Sequence, residues 1–271
     1  MMNVPATMLH ISESPRSSCT FSSFSGSPPR LSADTLALLD SFYSSKAEEE
    51  QRFNDLAEKA ASRVASLALN GHIEEPDPPM MSVDEYRLAF GEDWQLSQFW
   101  YSTEFATRLA KSVRALCTPT SKVAFMCCPT GFVAFQHTNP LDGARLLEFD
   151  DRFRVLAPSK VIRYDLDEPD VFPEDLRGGV DVVIVDPPFL NETTNAKLIQ
   201  TISQILHPQR GKLVLITSNS IEDVLRRLYE KPPLGPLRLT SLDPEHGGLA
   251  NEFCCWGSWE GAEDFGKSIT E

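Results

Sequence analysis

From Lys122 onward the chain alternates short, unbroken apolar runs with stretches of helical spacing, and this alternation constrains the fold more than any other feature. The apolar runs lie at 123–128, 144–149, 160–164, 180–185 and 212–217, with helical patterns at 194–206 and 221–229. A strand that is apolar on both faces needs cover on both sides, and intervening helices supply it. The pattern predicts an α/β fold, a doubly wound, mostly parallel sheet. Its last part differs: runs at 237–242 and 252–256 are joined through Asp243-Pro244-Glu245-His246-Gly247-Gly248, a turn-rich link without room for a crossover helix. Consecutive strands joined in this way run antiparallel, so a hairpin is expected at one sheet edge.

The flanking segments have a different character. Residues 1–30 are rich in Ser and Pro and poor in aliphatic side chains, too few core formers to offset the entropy of ordering, so a disordered tail is expected. From Leu31, Ser32 can cap a helix carrying Leu36, Leu39, Phe42 and Tyr43, and beyond an acidic run Phe53, Leu56, Ala60, Val64 and Leu67 continue at helical spacing. Asn70-Gly71 suits a helix end, and Pro76, Pro78 and Pro79 make 74–81 a linker. The expected organisation is therefore a tail (1–30), a helical extension with its proline linker (31–82), the sheet domain (83–258) and an acidic C-terminal tail (259–271).

Charge narrows the possible ligands. Against 39 Asp and Glu stand 25 Lys and Arg, a formal net charge of -14. Nucleic-acid binding draws most of its affinity from phosphate neutralisation, so no nucleic-acid partner is expected; a small molecule or a basic protein fits better. No apolar run reaches the roughly 18 residues of a membrane span, and no charged region followed by an apolar core marks a secretory signal. The six cysteines, Cys19, Cys117 and the adjacent pairs Cys127-Cys128 and Cys254-Cys255, include no C-x-x-C. Neighbours on a strand face opposite ways, so neither a metal site nor a disulfide framework is expected; reduced, buried thiols in the cytoplasm are. The sequence leaves the oligomeric state open, with a monomer as the default.

In an open parallel sheet the ligand lies beyond the carboxyl ends of the strands. The first run is followed by Pro129-Thr130-Gly131, without the G-x-G-x-x-G that a dinucleotide pyrophosphate requires, and no P-loop occurs anywhere. The second ends in Glu148-Phe149-Asp150-Asp151, where an acid can accept from ribose hydroxyls or form a surface turn with Arg152 or Arg154. At the third, Asp165 can accept from an adenine amino group or close a turn. The fourth ends in Asp186-Pro187-Pro188-Phe189. Two prolines after a buried strand fix the backbone and remove two donors. Asp186 and the Pro187 carbonyl can then both accept from one amine while the Phe189 ring offers its negative face to charge forming on nitrogen. The same letters also make a good strand-ending turn.

Asp186 to Phe189 resemble the [DNS]-P-P-[YFW] motif of class I S-adenosylmethionine-dependent methyltransferases that modify amino groups. Together with D-W-Q-L-S-Q-F-W-Y-S at 93–102, L-E-F-D-D-R-F at 147–153 and L-A-N-E-F at 249–253, they are similar to the lysine methyltransferases of translation elongation factor 1-alpha, a group formerly labelled N6-adenine-specific methyltransferases. The resemblance implies a seven-stranded Rossmann-like sheet with S-adenosylmethionine over its carboxyl edge and elongation factor 1-alpha as protein substrate. By position it makes Pro129, Thr130 and Gly131 the first cofactor loop, Asp150 the ribose acid with Glu148 as substitute, and Asp165 a neighbour of the adenine. Asp186, Pro187, Pro188 and Phe189 face the transferred methyl. Trp100 and Tyr101, with Trp94 and Phe99, cover the cofactor or the lysine stem or else anchor the following helix, and Asn251 and Glu252 stand near the substrate entrance. The competing readings are an N6-adenine methyltransferase acting on DNA or RNA and a cofactor-binding scaffold without turnover.

Overall fold

The computed structural model describes residues 31–70, 77–246 and 252–267. The expected N-terminal tail, Gly71 and Asn251 lie outside them. The chain divides into two units, Met1–Phe42 and Tyr43–Glu271. Within the first, Ser32 caps the helix as its sequence suggests: the Thr35 N–H donates to its Oγ at 3.1 Å.

That helix, α1 (Ala33–Asn70), is a single element. The two apolar stretches on either side of the acidic run belong to one helix because Ser, Glu and Lys all tolerate helical backbone. Pairs one turn apart also brace it, Lys46 with Glu49 at 2.9 Å and Arg52 with Glu48 at 3.3 Å. In the second unit, Phe53 sets its ring edge-on against Phe90 at 5.6 Å, and Leu56, Met80 and Met81 also pack on the core.

Helix α2 (Val83–Ala89) opens on a capping box in which Ser82 Oγ accepts from the Glu85 N–H and Glu85 accepts from the Ser82 N–H. It delivers Tyr86, which stacks on Phe90 at 5.1 Å, and Phe90 stacks on Phe153 at 5.2 Å. Helix α3 (Thr103–Ala115) is capped by Ser102 and buries Phe105, Leu109 and Val113 along one stripe.

The sheet follows: β1 (Val123–Met126), α4 (Pro129–Thr138), β2 (Ala144–Glu148), β3 (Val161–Arg163), β4 (Val182–Val185), α5 (Glu192–Ile205), β5 (Lys212–Ser218), α6 (Glu222–Leu228), β6 (Arg238–Leu239) and β7 (Phe253–Gly257). Strand order is β3-β2-β1-β4-β5-β7-β6. Strands β1 to β5 are parallel, and β7 runs antiparallel to both β5 and β6. The predicted hairpin thus exists, with β7 inserted between β5 and β6.

Alternation divides the core cleanly. Val123, Phe125, Leu146 and Ile184 face a layer containing Phe105, Leu109, Phe132 and Phe135 of α3 and α4. Ala124, Met126, Leu147 and Val185 face Leu198, Ile202 and Leu225 of α5 and α6. The adjacent thiols on β7 obey the same rule, Cys255 facing the first layer and Cys254 the second.

One expectation is corrected at the C-terminus. Residues 259–267 are not a free acidic tail: Phe265 is buried and its ring meets Trp259 edge-on at 5.6 Å. Two apolar rings among the acids are enough to fasten the segment to the core. Among the described residues no helix is long and apolar enough to cross a membrane, and no three His, Cys, Asp or Glu side chains converge as a metal site.

Candidate active site

The strand order reverses between β1 and β4, so their paired carboxyl ends, Met126 beside Val185, open the crevice where an α/β sheet binds its ligand. A cavity of about 360 Å³ lies there, within the range of small-molecule sites.

Asp186 leaves β4 with its N–H donating to the Met126 carbonyl at 3.2 Å, which ties the two strand ends together. Pro187 and Pro188 follow, and Phe189, nearly half exposed, stands at the cavity wall. Tyr101, buried to 1% exposure, donates its hydroxyl to Asp186 Oδ2 at 2.5 Å. Burial, then the neighbouring Asp186 charge, pushes the phenol well above its ordinary value, so it remains a donor.

Tyr101 arrives on a strap formed by residues 92–101, which lines the cavity with Leu96, Gln98, Phe99 and Trp100. Asp93 Oδ1 accepts from the Gln95 N–H at 2.9 Å to turn the strap, and Ser97 takes the left-handed conformation, φ 54°. Trp100 both lines the cavity and anchors the strap, its Nε1–H donating to the Phe90 carbonyl at 2.6 Å. That anchor runs to Phe90 at the end of α2, not to the following helix α3.

At the end of β1, Cys127 also adopts positive φ, 52°, and Pro129 opens α4 at a position where a missing N–H costs nothing. Pro129 and Thr130 line the cavity. Gly131 does not; a Cβ there would lie 2.7 Å from Cys128 Sγ and 3.2 Å from Leu109, so its glycine serves the close packing of α4 on α3. Burial pushes the thiols of Cys127 and Cys128 up, leaving them protonated and weak as nucleophiles.

The two acids at the end of β2 divide. Asp150 is not among the residues that line the cavity: it caps a short 3₁₀ helix, Asp151–Val155, by accepting from the Arg152 N–H at 2.9 Å. It also accepts from Gln98 Nε2 at 3.1 Å and pairs with the Arg152 guanidinium at 2.7 Å. Burial opposes its ionisation, but the bonds from Arg152 and Gln98 prevail and hold its carboxyl below the usual range. Glu148 lines the cavity. Its Oε1 accepts from Phe149 N–H at 2.9 Å and Asp150 N–H at 3.4 Å, and among the described residues no donor reaches Oε2. Burial pushes this carboxyl up to about 7.

Asp165 lines the cavity from the turn after β3, where it accepts from the Asp167 N–H at 2.9 Å. Glu252 does not reach it and instead accepts from Asn219 Nδ2 at 2.8 Å; Asn251 is outside the described residues. Three participants were not singled out from the sequence: Lys197, which pairs with Asp167 at the wall, Tyr164, and His246. His246 sits behind the cavity between the rings of Tyr101 (4.8 Å) and Phe253 (4.3 Å), with Nε2 3.9 Å from Asp186 Oδ2. Only the one-letter content of a turn recorded it in the sequence, and a turn names no partner.

The ionisable lining is Glu148, Asp165, Asp167 and Asp186 against Lys197, itself paired. Such a site favours a cationic ligand with hydroxyl donors and offers no cationic cradle for a pyrophosphate. S-adenosylmethionine, a sulfonium with ribose hydroxyls, fits this set, in which Glu148 keeps one oxygen without a donor among the described residues.

A family model described as "Probable N6-adenine methyltransferase" matches residues 92–261. The chain is 30% identical over 246 residues to protein-lysine N-methyltransferase EFM5 of Saccharomyces cerevisiae, covering 85% of this chain and 92% of that protein. It is 31% identical over 242 residues to protein-lysine N-methyltransferase M142.8 of Caenorhabditis elegans, covering 86% and 94%. To EEF1A lysine methyltransferase 1 of Homo sapiens it is 30% identical over 242 residues, covering 88% and 95%. With the family model spanning more than half of the chain and these proteins matched over nearly all of their length, the chain belongs to the family of S-adenosylmethionine-dependent methyltransferases that contains these protein-lysine N-methyltransferases.

Proposed function

We propose that this protein transfers a methyl group from S-adenosylmethionine to the ε-amino group of a lysine on translation elongation factor 1-alpha, in the cytoplasm. The observation that carries the reading is Asp186, held by the Tyr101 hydroxyl at 2.5 Å at the head of Pro187-Pro188-Phe189, on the wall of an acid-lined cavity. The named activities of the relatives and the net charge of -14 support a basic protein substrate.

When bound, the cofactor supplies an electrophilic methyl on a sulfonium. The chain's residues align the nucleophile and keep the site dry. A lysine ammonium has no lone pair, and its reference pKa of about 10.4 makes deprotonation near neutral pH cost about 4 kcal/mol. Desolvation against Phe99, Trp100 and Phe189 lowers that cost, whereas the Asp186 charge raises it. Asp186 is therefore assigned to orientation: with one oxygen engaged by Tyr101, the other accepts from the amine and aims its lone pair at the methyl. Glu148 and Asp165 hold the ribose and adenine.

The test is transfer of labelled methyl from S-adenosylmethionine to purified elongation factor 1-alpha and, separately, to DNA and RNA oligonucleotides, with the methyl located by mass spectrometry. Methyl-lysine on the elongation factor is expected, at a rate that falls with salt as surface charges are screened. Methylated adenine with an untouched elongation factor contradicts the reading, and transfer to neither favours the scaffold.

A further inference from the structure

His246 has three properties that the proposed function does not use. Its side chain is only 4% exposed, its Nδ1 is buried without a hydrogen-bond partner among the described residues, and its Nε2 faces the same oxygen of Asp186 that receives the Tyr101 hydroxyl. A buried nitrogen left unpartnered is uncommon in a folded protein and is retained where something else is gained. The backbone reinforces the placement: Tyr101 and His246 form an antiparallel bridge, and the Ser102 N–H donates to the Glu245 carbonyl at 2.9 Å. Glu245 itself is taken up by Ser102 Oγ at 2.9 Å and by Arg108 at 3.7 Å, so the nearest acid on the same segment is directed away from the ring.

We propose that His246 is a positioning residue for methyl transfer: its Nε2–H and the Tyr101 hydroxyl together hold Oδ2 of Asp186, so that Oδ1 is presented to the substrate amine. The proposal rests on the assignment of Asp186 to the amine. The Tyr101 bond is formed at 2.5 Å, whereas the His246 approach at 3.9 Å is beyond hydrogen-bond range. Catalytic contacts of this kind commonly tighten only in the substrate complex. The tautomer the proposal requires carries its proton on Nε2 and leaves the buried Nδ1 as an acceptor without a partner among the described residues. A single donor leaves a carboxylate free to swing about that bond; two donors from different directions fix its plane. The phenol comes from the strap before α3 and the imidazole from the segment before β7, so Asp186 is oriented only when both are in place.

Three substitutions separate this role from packing. His246→Phe keeps a ring between Tyr101 and Phe253 and removes the donor. His246→Gln places an amide N–H near the Nε2 position and removes the ring, and His246→Asn is as polar as Gln but too short to reach. Steady-state kinetics on lysine substrate, cofactor titration and thermal melting are measured for each. Expected are a loss of about tenfold or more in kcat for Phe and Asn, on the scale of a misaligned reacting group, retention of most of kcat for Gln, and cofactor affinity unchanged in all three. Phe active with Gln inactive, equal kcat in Gln and Asn, or wild-type kcat throughout would each overturn the proposal. A wild-type enzyme that methylates no lysine contradicts the proposed function itself, a result distinct from these.

Discussion

Two carboxylates stand at the carboxyl ends of the strands on either side of β1 and are held in opposite ways. Glu148, the last residue of β2, has one oxygen capped by two backbone N–H groups, and burial pushes its carboxyl up to about 7. Asp186, after β4, has one oxygen held by a side-chain hydroxyl and lies beside two prolines that offer no donors. Backbone donors create a fixed acceptor suited to a ligand that must be held throughout turnover, whereas a side-chain donor with a free second oxygen suits a group that aims a reactant. Affinity and turnover should therefore separate between the two acids.

The largest expected effect is at Asp186. Asp186→Ala should lower kcat at least about 100-fold, the scale of lost orientation at a reacting centre, with cofactor affinity changed little in calorimetry. A parallel loss of affinity would mean that the acid belongs to the cofactor and would erase the contrast.

Glu148 comes next. Glu148→Gln removes a charged acceptor and should weaken S-adenosylmethionine binding by about 1.5–3 kcal/mol, roughly 10–150-fold. A pH dependence accompanies it. Below about 7 the carboxyl is protonated, and the proton must leave before both oxygens can accept from ribose hydroxyls, so affinity should rise with pH through that value, by up to about tenfold per unit, and level off above it. Binding by the Gln variant should be flat over the same range. A wild-type affinity that falls with rising pH would show that the protonated acid is the binding form.

The smallest effect is expected at Asp150, whose side chain serves the protein. Asp150→Ala should cost about 1 kcal/mol of stability by removing the cap of the 3₁₀ helix, seen as a lower Tm, with cofactor affinity within about twofold of wild type. A larger loss of affinity with unchanged Tm would return the ribose role to this residue.

The difference between Glu148 and Asp150 also shows where sequence reading reaches its limit. The parallel sheet and its edge hairpin were legible because double-sided burial writes itself as continuous apolar runs, and Asp186 was legible because its prolines mark the end of such a run. Glu148-Phe149-Asp150 places two acids at one strand end, and the sequence offered Arg152 as a partner for one of them without saying which. The structure pairs Asp150 with Arg152 and adds Gln98, 52 residues away, a contact no local pattern records. Tyr101 and His246 meet Asp186 only through the sheet order, across 85 and 60 residues of chain, and the buried Phe265 was hidden by the acids around it.

The central claim, that cofactor holding and amine aiming are divided between these two carboxylates, is tested most directly by single-turnover methyl transfer at rising cofactor concentration in Glu148→Gln and Asp186→Ala. Saturating S-adenosylmethionine should restore the Glu148→Gln rate to near wild type and leave the Asp186→Ala rate low at every concentration. Recovery of Asp186→Ala, or failure of Glu148→Gln to recover, would contradict the division.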